Sequence, residues 1–283
     1  MALDFQIGNK KQIMKLDEIE RHVNETVALS NQLTGYLTEK EVRFLSILPF
    51  INIKGEILEI GSFEGKSTII LAKSVKASGD AKIFACDPLL LSSSTDPIVE
   101  NKEEIPTLFQ ENLRKHGVSD VVKFHQMKSS ELAESWNLPL RILWIDGDHT
   151  YQGALQDFQL FQDSLVSGAV VCFHDVLHGF DGPIRVFMES ILLSGSFGDC
   201  GLCGSIGWGQ FIGEFSPTKK QWRRKLSLYR KLSRLIPYYL GRRNGLNMSK
   251  IILKLFRSLI PHGDINPVRW IEERNDWHNT AMD

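Results

Sequence analysis

Two segments of the chain place metal-binding and proton-transferring side chains directly after apolar runs. Asp146, Asp148 and His149 follow the first run, and His174 and Asp175 follow the second. Carboxylates and imidazoles together bind divalent ions, and an imidazole that titrates near neutral pH can accept the proton of a hydroxyl. Each residue also has a structural alternative, since a single His is often a packed side chain and an Asp can cap the next helix, as expected for Asp148. We interpret the other four, Asp146, His149, His174 and Asp175, as one shared site.

A glycine-containing loop follows an earlier apolar run and is the candidate ligand loop. Its sequence, Glu-Ile-Gly-Ser-Phe-Glu-Gly-Lys-Ser-Thr, covers residues 59–68. Phe63 stands where a dinucleotide fingerprint has its second glycine, and only three residues separate Gly61 from Gly65, whereas a phosphate-binding P-loop has four. A third interpretation, the Glu-x-Gly-x-x-x-Gly loop of an S-adenosylmethionine (SAM) site, needs a tight turn and a nearby acidic group. Asp87, after the next apolar run, could accept hydrogen bonds from ribose hydroxyls. An ordinary strand-to-helix turn is the structural alternative.

Short apolar runs alternate with helical patterns through the middle of the chain. The alternation predicts an α/β fold with a parallel sheet and helices on both faces. The predicted strands are residues 56–60, 82–86, 121–125, 141–145 and 169–173, and the predicted helices between them are residues 67–77, 101–116 and 151–165. Right-handed crossovers bring the carboxyl ends of parallel strands to one edge of the sheet, where ligands bind. We therefore expect the glycine loop, Asp87 and the polar cluster at that edge.

The composition is that of a globular protein. The 283 residues are 42% hydrophobic and 24% charged, and no apolar run has the length of a membrane span. The first residues lack the pattern of a signal peptide, so we expect a cytoplasmic protein with reduced cysteines. Cys200 and Cys203 form a single Cys-x-x-Cys, which we interpret as two buried small residues and not as a zinc or redox site.

The chain resembles the class I SAM-dependent methyltransferases over roughly residues 33–213. The resemblance is carried by Leu-Glu-Ile-Gly-Ser at 58–62, Ile-Asp-Gly-Asp-His at 145–149 and Phe-His-Asp at 173–175. These motifs are similar to those of the branch that contains macrolide-sugar O-methyltransferases and cephalosporin-hydroxylase-like proteins. The resemblance implies a Rossmann-like sheet of seven strands with a reversed last strand, in the region of residues 203–211.

The resemblance also implies roles for individual residues. It implies that SAM is bound by Glu59, Gly61, Ser62, Gly65, Asp87 and Ser129, the last lying near the adenine. It implies metal ligands at Asp146, His174 and Asp175, with Mg²⁺ the expected ion, and a general base at His149. Relatives usually have a carboxylate at the position of His174, so this chain departs from their pattern there.

The charge distribution divides the chain near residue 216. Residues 216–260 contain 13 Lys and Arg and no acidic residue. Trp222, Leu226, Tyr229, Leu232, Ile236 and Tyr239 have helical spacing and predict an apolar stripe, which Pro237 should end or kink. A basic amphipathic segment could lie on an anionic membrane surface, pack on the protein or on a second copy of the chain, or, least in keeping with the pattern, bind nucleic acid. We expect a helical cover over residues 1–50, a SAM-binding domain over 51–215 and a basic helical extension over 216–283.

These observations together predict a SAM-dependent O-methyltransferase that acts on a hydroxyl of a sugar, a glycan or another small metabolite, assisted by a divalent metal. Two alternatives stay open, a P-loop-like NTP-binding protein and a non-catalytic SAM-fold module that acts through its basic tail. A hydroxylase-like activity on the same scaffold also stays open. The expected location is the cytoplasm, with residues 217–260 as the segment that could contact the inner membrane surface.

Overall fold

One mixed sheet positions every candidate site residue. The computed structural model describes residues 16–79, 82–90, 93–95, 101–243 and 250–277, and the statements below concern these residues. The strands are β1 (Glu56–Ile60), β2 (Ile83–Cys86), β3 (Val122–His125), β4 (Leu140–Ile145), β5 (Leu165–Phe173), β6 (Phe197–Cys203) and β7 (Ile206–Phe211). Their order is β3-β2-β1-β4-β5-β7-β6. The first five are parallel, and β7 is antiparallel to both neighbours. The expected seven-stranded sheet with a reversed last strand is confirmed.

Helices cover both faces of this sheet. They are α1 (Leu16–Ser30), α2 (Glu39–Ile47), α3 (Lys66–Ser78), α4 (Ile105–Lys115), α5 (Ser129–Ala133), α6 (Tyr151–Phe161), α7 (Asp181–Val186), α8 (Lys219–Ser233), α9 (Ile236–Arg243), α10 (Lys250–Ser258) and α11 (Pro267–Asn275). The helix predicted over 151–165 ends earlier, at Phe161, because a single 3₁₀ turn follows and Leu165 already belongs to β5. Two buried apolar clusters, one for each sheet face, contain the inward-facing side chains of these helices.

The central strands are buried on both faces. Every residue of β2 and of β4 is buried, which explains why these strands read as continuous apolar runs without polar alternation. A strand of this kind has little polar surface until it leaves the sheet. Apart from the buried Arg141 near the start of β4, polar side chains appear only at the carboxyl ends, where Asp87 follows β2 and Asp146 follows β4.

The N-terminal helices pack on the face of the sheet that also carries α3. Helix α2 begins with the capping box expected from Thr-Glu-Lys-Glu, in which Glu41 accepts hydrogen bonds from the backbone N and the hydroxyl of Thr38, both at 2.8 Å. The loop between α1 and α2, residues 34–37, reaches the carboxyl edge of the sheet. Residues 1–15 of the predicted cover lie outside the described residues.

The predicted apolar stripe of α8 is wrong for its first half. Leu232 and Tyr239 are buried as predicted, but Leu226 is exposed and Lys225 is buried in its place. Lys225 Nζ donates hydrogen bonds to the carbonyls of Ser194 and Phe197, both at 2.5 Å. These two carbonyls solvate the ammonium group, so the helix turns its lysine, not its leucine, toward β6.

The C-terminal helix returns to the body of the protein. Helix α11 contributes Trp270 and Ile271 to the buried cluster that includes α2 and β1. Arg274 Nη2 lies 2.9 Å from Asp199 Oδ2, and its guanidinium lies 5.0 Å from the ring centre of Trp208. Cys200 and Cys203 both lie on β6, where Cys203 is buried as predicted and Cys200 is only partly buried. None of the helices in the described ranges combines the length and apolar character required to cross a bilayer.

Candidate active site

A cavity of about 850 Å³ opens at the carboxyl edge of the sheet. Most of the predicted site residues line it, namely Gly61, Ser62, Asp87, Ser129, Asp146, His149, His174 and Asp175. Glu59 and Gly65 do not. Residues 34–37, before α2, form part of its wall together with Lys66 at the start of α3. The sequence therefore predicted the correct edge of the sheet for the site. The structure adds that the N-terminal segment forms part of the cavity wall.

The turn after β1 requires glycine at Gly61. This residue has a φ of +86°, and an added Cβ would lie 2.1 Å from the carbonyl oxygen of Asp146. The contact arises because β1 and β4 are neighbours and Asp146 N donates to Ile60 O at 2.8 Å. Gly65, with a φ of +92°, is the N-cap of α3 and donates from its N to Ser62 O at 2.8 Å. The two glycines shape the loop, and only Gly61 reaches the cavity.

Asp87 fastens the same loop to the end of β2. Its Oδ2 accepts hydrogen bonds from Ser62 N at 2.7 Å and Phe63 N at 3.0 Å, and its Oδ1 accepts from Leu89 N at 2.7 Å. Each carboxylate oxygen can accept more than one hydrogen bond, so Asp87 retains capacity toward the cavity that it lines. Its position is compatible with the predicted contact to ribose hydroxyls.

Glu59 lies beneath the loop. Its side chain is fully buried, and Oε2 accepts hydrogen bonds from Ser62 Oγ at 3.3 Å and from Thr68 Oγ1. Burial raises the pKa of this carboxyl to about 7, and the negative charge of Asp146 acts in the same direction. The geometry gives Glu59 a role in supporting the loop, while the contact with SAM stays a prediction.

Asp157 is a cavity residue that the sequence analysis missed. It lies on α6 and is only 6% exposed, with Oδ1 2.6 Å from Ser129 Oγ, which donates to it. Burial raises its pKa to about 6, and the nearby charges of Asp148 and Asp87 contribute to the rise. The sequence feature that could have identified Asp157 is its position directly before Phe158, on the apolar face of a helix. Burial of a carboxylate there costs free energy unless the carboxylate has a partner.

The cavity also contains three potential metal ligands. One ligand atom from each of Asp146, His149 and Asp175 lies within 4.8 Å of the others. His149 Nε2 is 3.3 Å from Asp146 Oδ1 and 3.8 Å from Asp175 Oδ2, and the imidazole stacks on Phe180. Burial alone would lower the pKa of His149, but the hydrogen bond and charge of Asp146, together with the charge of Asp175, raise it overall.

His174 occupies a different position from the other three residues. Its Nδ1 faces Asp146 Oδ1 at 3.0 Å, whereas Nε2 lies 3.8 Å from Oε2 of the buried Glu41. Burial alone would lower its pKa, but the surrounding carboxylates, Asp146 first, raise the pKa well above its usual value. His174 is thus held between Asp146 and a carboxylate of α2. Glu41 is the second residue that the sequence analysis missed, because in the sequence it is only an acidic residue in the first turn of a helix.

The loop after β4 is fixed from outside by residues 93–95. Ser93 and Thr95 donate from their hydroxyls to Asp148 Oδ1 at 2.9 and 3.1 Å, and His149 N donates to Thr95 Oγ1 at 3.1 Å. The expectation that Asp148 caps the following helix is wrong. The N-cap of α6 is Thr150, and Asp148 accepts from Thr150 N at 2.9 Å.

Asp175 has an unusual backbone conformation. Its φ is +58°, a left-handed value that is uncommon for a residue other than glycine and that Asp and Asn tolerate best. Strained residues of this kind persist where the surrounding structure holds them, often at ligand sites. His178 Nδ1 lies 2.5 Å from Asp175 Oδ1 and holds the carboxylate from the other side.

A family model described as a methyltransferase domain matches residues 58–176, the span that contains the glycine loop, Asp87, Asp146 and His174. A curated relative, the uncharacterized protein R132 of Acanthamoeba polyphaga mimivirus, is 24% identical over 119 residues. The aligned region is 42% of this chain and 50% of the relative, so the chain spans half the length of that protein.

Solved structures share the fold at low sequence identity. The O-methyltransferase NovP has a TM-score of 0.53 at 11% identity, with 69% of this chain and 98% of that chain covered. The cofactor-bound Rv0187 from MTB has a TM-score of 0.51 at 15% identity, with 74% and 93% covered. Together with the strand order, these matches show that residues 58–176 form a methyltransferase domain, within a chain that has the fold of the class I SAM-dependent methyltransferases.

Proposed function

We propose that the protein transfers a methyl group from SAM to a hydroxyl oxygen of a small-molecule acceptor. The observation that carries the proposal is the cavity, which joins two chemically different ends. One end contains Asp87, Ser129 and the buried Asp157, and the other contains Asp146 and His149. A ligand with a nucleoside at the first end would present its reactive group to a proton acceptor at the second.

The nucleoside end suits the adenosyl part of SAM. Asp87 is placed for the ribose hydroxyls, since it lies at the end of β2 between the glycine loop and the cavity. Asp157 and Ser129 lie beyond it, where α6 approaches the segment after β3. A buried carboxylate favours a ligand N–H donor, and the 6-amino group of adenine is such a donor. We assign this end to adenine.

The reacting end suits proton transfer from a hydroxyl. His149 is oriented by Asp146, by the backbone bond to Thr95 and by stacking on Phe180. In methyl transfer the acceptor oxygen forms a bond to the methyl carbon, the carbon–sulfur bond breaks with its electron pair going to sulfur, and the hydroxyl proton moves to His149. Positioning the oxygen in line with the methyl group supplies much of the acceleration, and a positioned base contributes about 10²–10⁴-fold.

The residues at this end also fit a divalent metal. Asp146 and Asp175 supply two carboxylates, which suffice for Mg²⁺ because that ion keeps several waters. A bound cation would lower the pKa of the acceptor hydroxyl. We assign the metal to the two carboxylates and the base to His149. His174, committed to Glu41 on its Nε2 side, presents only Nδ1 toward the pair.

An oxygen acceptor is supported by two observations. NovP, which shares the fold, is an O-methyltransferase. The wall of the cavity also contains polar side chains that could bind the hydroxyl groups of a sugar or another small metabolite, among them Tyr36, Lys66 and Thr95. The proposal therefore includes a sugar or another polyhydroxylated acceptor. An NTP-binding function receives no support from the family match.

Calorimetry followed by turnover tests the function. We expect purified protein to bind SAM and S-adenosylhomocysteine but not ATP. It should then transfer a labelled methyl group to a member of a sugar panel when Mg²⁺ or Mn²⁺ is present. His149→Gln should keep S-adenosylhomocysteine binding and lose about 10²-fold or more in turnover. Binding of ATP without binding of SAM would overturn the proposed function. Unchanged turnover in His149→Gln would overturn the role of His149 as the base.

A further inference from the structure

The outward face of α8 carries positive charges that the fold does not use. Lys219, Arg223, Arg230 and Arg234 are all exposed, and with Leu226 they recur every three or four residues along the helix. This spacing places them on one side of the helix. None of the four side chains forms an ion pair with any of the described residues. We call these five residues the outer face of α8.

Two of the other basic residues of α8 have structural partners. Lys225 points inward to two backbone carbonyls, and Arg224 Nη1 lies 4.0 Å from Asp199 Oδ1. The inward side of the helix, with Leu228 and Leu232 buried, is therefore satisfied by the body of the protein. The outer face lies on the opposite side of the same helix, so folding accounts for one side of α8 and not for the other.

Exposed leucines accompany these charges. Leu226 is exposed within the outer face, and Leu240 on α9 and Leu255 and Leu259 on α10 follow with exposures of 39%, 57% and 49%. Helix α10 packs on the protein through its other side, where Phe256 contacts Tyr238. The segment 216–260 has no acidic residue to repel an anionic surface. Cations and exposed leucines thus occur together on consecutive helices.

We propose that this surface binds the headgroups of an anionic lipid bilayer, with the leucines inserted at the interface. Phosphate groups of lipids and of nucleic acids would both attract the cations. The leucines distinguish the two, because an interfacial bilayer site gains from burying apolar side chains whereas a nucleic acid backbone does not. The occupant that matches both features is a membrane surface. This inference concerns α8–α10 and does not depend on the reaction in the cavity.

Vesicle flotation with the full-length protein tests the proposal. The probes are vesicles of phosphatidylcholine alone and vesicles that also contain phosphatidylglycerol. We expect the protein to float only with the second kind, and less so as salt concentration increases. Arg223→Glu combined with Arg230→Glu should reduce binding by about tenfold or more, because each cation near an anionic surface contributes substantially.

Two further variants separate charge from apolar insertion. Arg114→Glu with Lys115→Glu makes the same charge change on the exposed side of α4 and should retain vesicle binding. Leu255→Ser with Leu259→Ser leaves the charge unchanged, removes only exposed leucines and should weaken binding. Thermal melting of each variant verifies that it is folded. The proposal would be overturned if the protein bound no vesicles, or if the α4 control lost as much binding as the α8 variant. It would also be overturned if the protein bound duplex oligonucleotides and not vesicles, and the leucine changes did not affect that binding.

Discussion

His174 Nε2 lies 3.8 Å from Glu41 Oε2, so the end of β5 is paired with the first turn of a helix that precedes the sheet. Glu41 is 1% exposed and also accepts hydrogen bonds from the backbone N of Ser205, at 2.6 Å, and from its hydroxyl. Burial by itself raises the pKa of Glu41, but the charged interaction with His174, followed by the hydrogen bonds from Ser205 and Thr38, lowers it overall. One carboxylate thus joins three elements next to the cavity.

Removing this carboxylate should destabilise the whole protein. Glu41→Ala leaves a charged, buried His174 with no carboxylate on its Nε2 side and removes the acceptor of Ser205, and we expect a loss of about 3–5 kcal/mol in the free energy of unfolding measured with urea. Glu39→Ala removes an exposed carboxylate from the same helical turn, where it pairs with Arg43, and should cost about 1 kcal/mol or less. Equal losses in the two variants would show that Glu41 acts only as a helix cap.

Asp157 should determine which purine the cavity accepts. An Asn side chain can donate to a 6-oxo group, whereas the ionised Asp can only accept. We expect wild type to bind S-adenosylhomocysteine at least about tenfold more tightly than the 6-oxo analogue S-inosylhomocysteine, and Asp157→Asn to remove or reverse that preference. Asp163→Asn, exposed after α6, is the control. If Asp157→Asn keeps the full preference while wild type binds S-adenosylhomocysteine, the adenine assignment fails and the SAM assignment stands.

The same contact predicts a pH dependence of binding. The pKa of Asp157 is raised to about 6, and an amino donor favours its ionised form. Ligand binding should therefore release a proton, and affinity for S-adenosylhomocysteine should increase as pH rises from 5 through 7. Calorimetry at several pH values should show this increase in wild type and a smaller one in Asp157→Asn.

Gly61 and Gly79 form a matched pair for measuring the close approach of β1 and β4. Both have left-handed φ values, +86° and +78°, but an added Cβ meets the Asp146 carbonyl at Gly61 and nothing within 4 Å at Gly79. Gly79→Ala should cost about 1–2 kcal/mol from its backbone conformation alone. We expect Gly61→Ala to cost clearly more and to weaken S-adenosylhomocysteine binding, because it displaces Asp146. Similar melting temperatures for the two variants would contradict the steric argument.

Glu59 should make stability depend on pH. Its pKa is about 7 in the fold and near 4.5 without it, so the folded state retains a proton between these values that the unfolded state has lost. Its contribution to stability therefore falls as pH rises from 4.5 to above 7, by on the order of 3 kcal/mol. Glu59→Gln keeps a hydrogen-bond acceptor and should gain in melting temperature over wild type at pH 8 but not at pH 4.5. Glu111→Gln, exposed on α4, controls for the loss of one charge.

The sheet was predictable because its strands are short and buried on both faces. Continuous apolar runs of four to six residues such as β2 and β4 have few alternatives, and the parallel arrangement then places Asp87 and Asp146 at one edge. The start of β5 was not predictable to the residue. Leu165 continues the helical spacing of α6, but the 3₁₀ turn over residues 162–164 releases it into the strand.

Contacts between residues far apart in the chain could not be predicted from the sequence. Asp157 meets Ser129 and Glu41 meets His174 only after folding, and neither pair has a local pattern. The helical spacing also predicted the wrong buried side for α8. Hydropathy favours burial of Leu226 over Lys225, but the carbonyls of Ser194 and Phe197 accept hydrogen bonds from Lys225 and so stabilise its burial instead. The division of the chain into three segments and the roles of the individual site residues stay predictions.

The position of α11 has a consequence for how the chain can be divided. The recognisable methyltransferase region ends at residue 176, yet Trp270 packs against Phe44 and Trp208, and Trp277 would collide with any side chain added at Gly168 in β5. A fragment limited to residues 58–176 would lack Phe44, Trp208 and the last helix, and it would expose the part of β5 at Gly168 that Trp277 covers. The segment that matches the family model is therefore smaller than the unit that packs together, and we expect a minimal folded fragment of this protein to include its C-terminal helix.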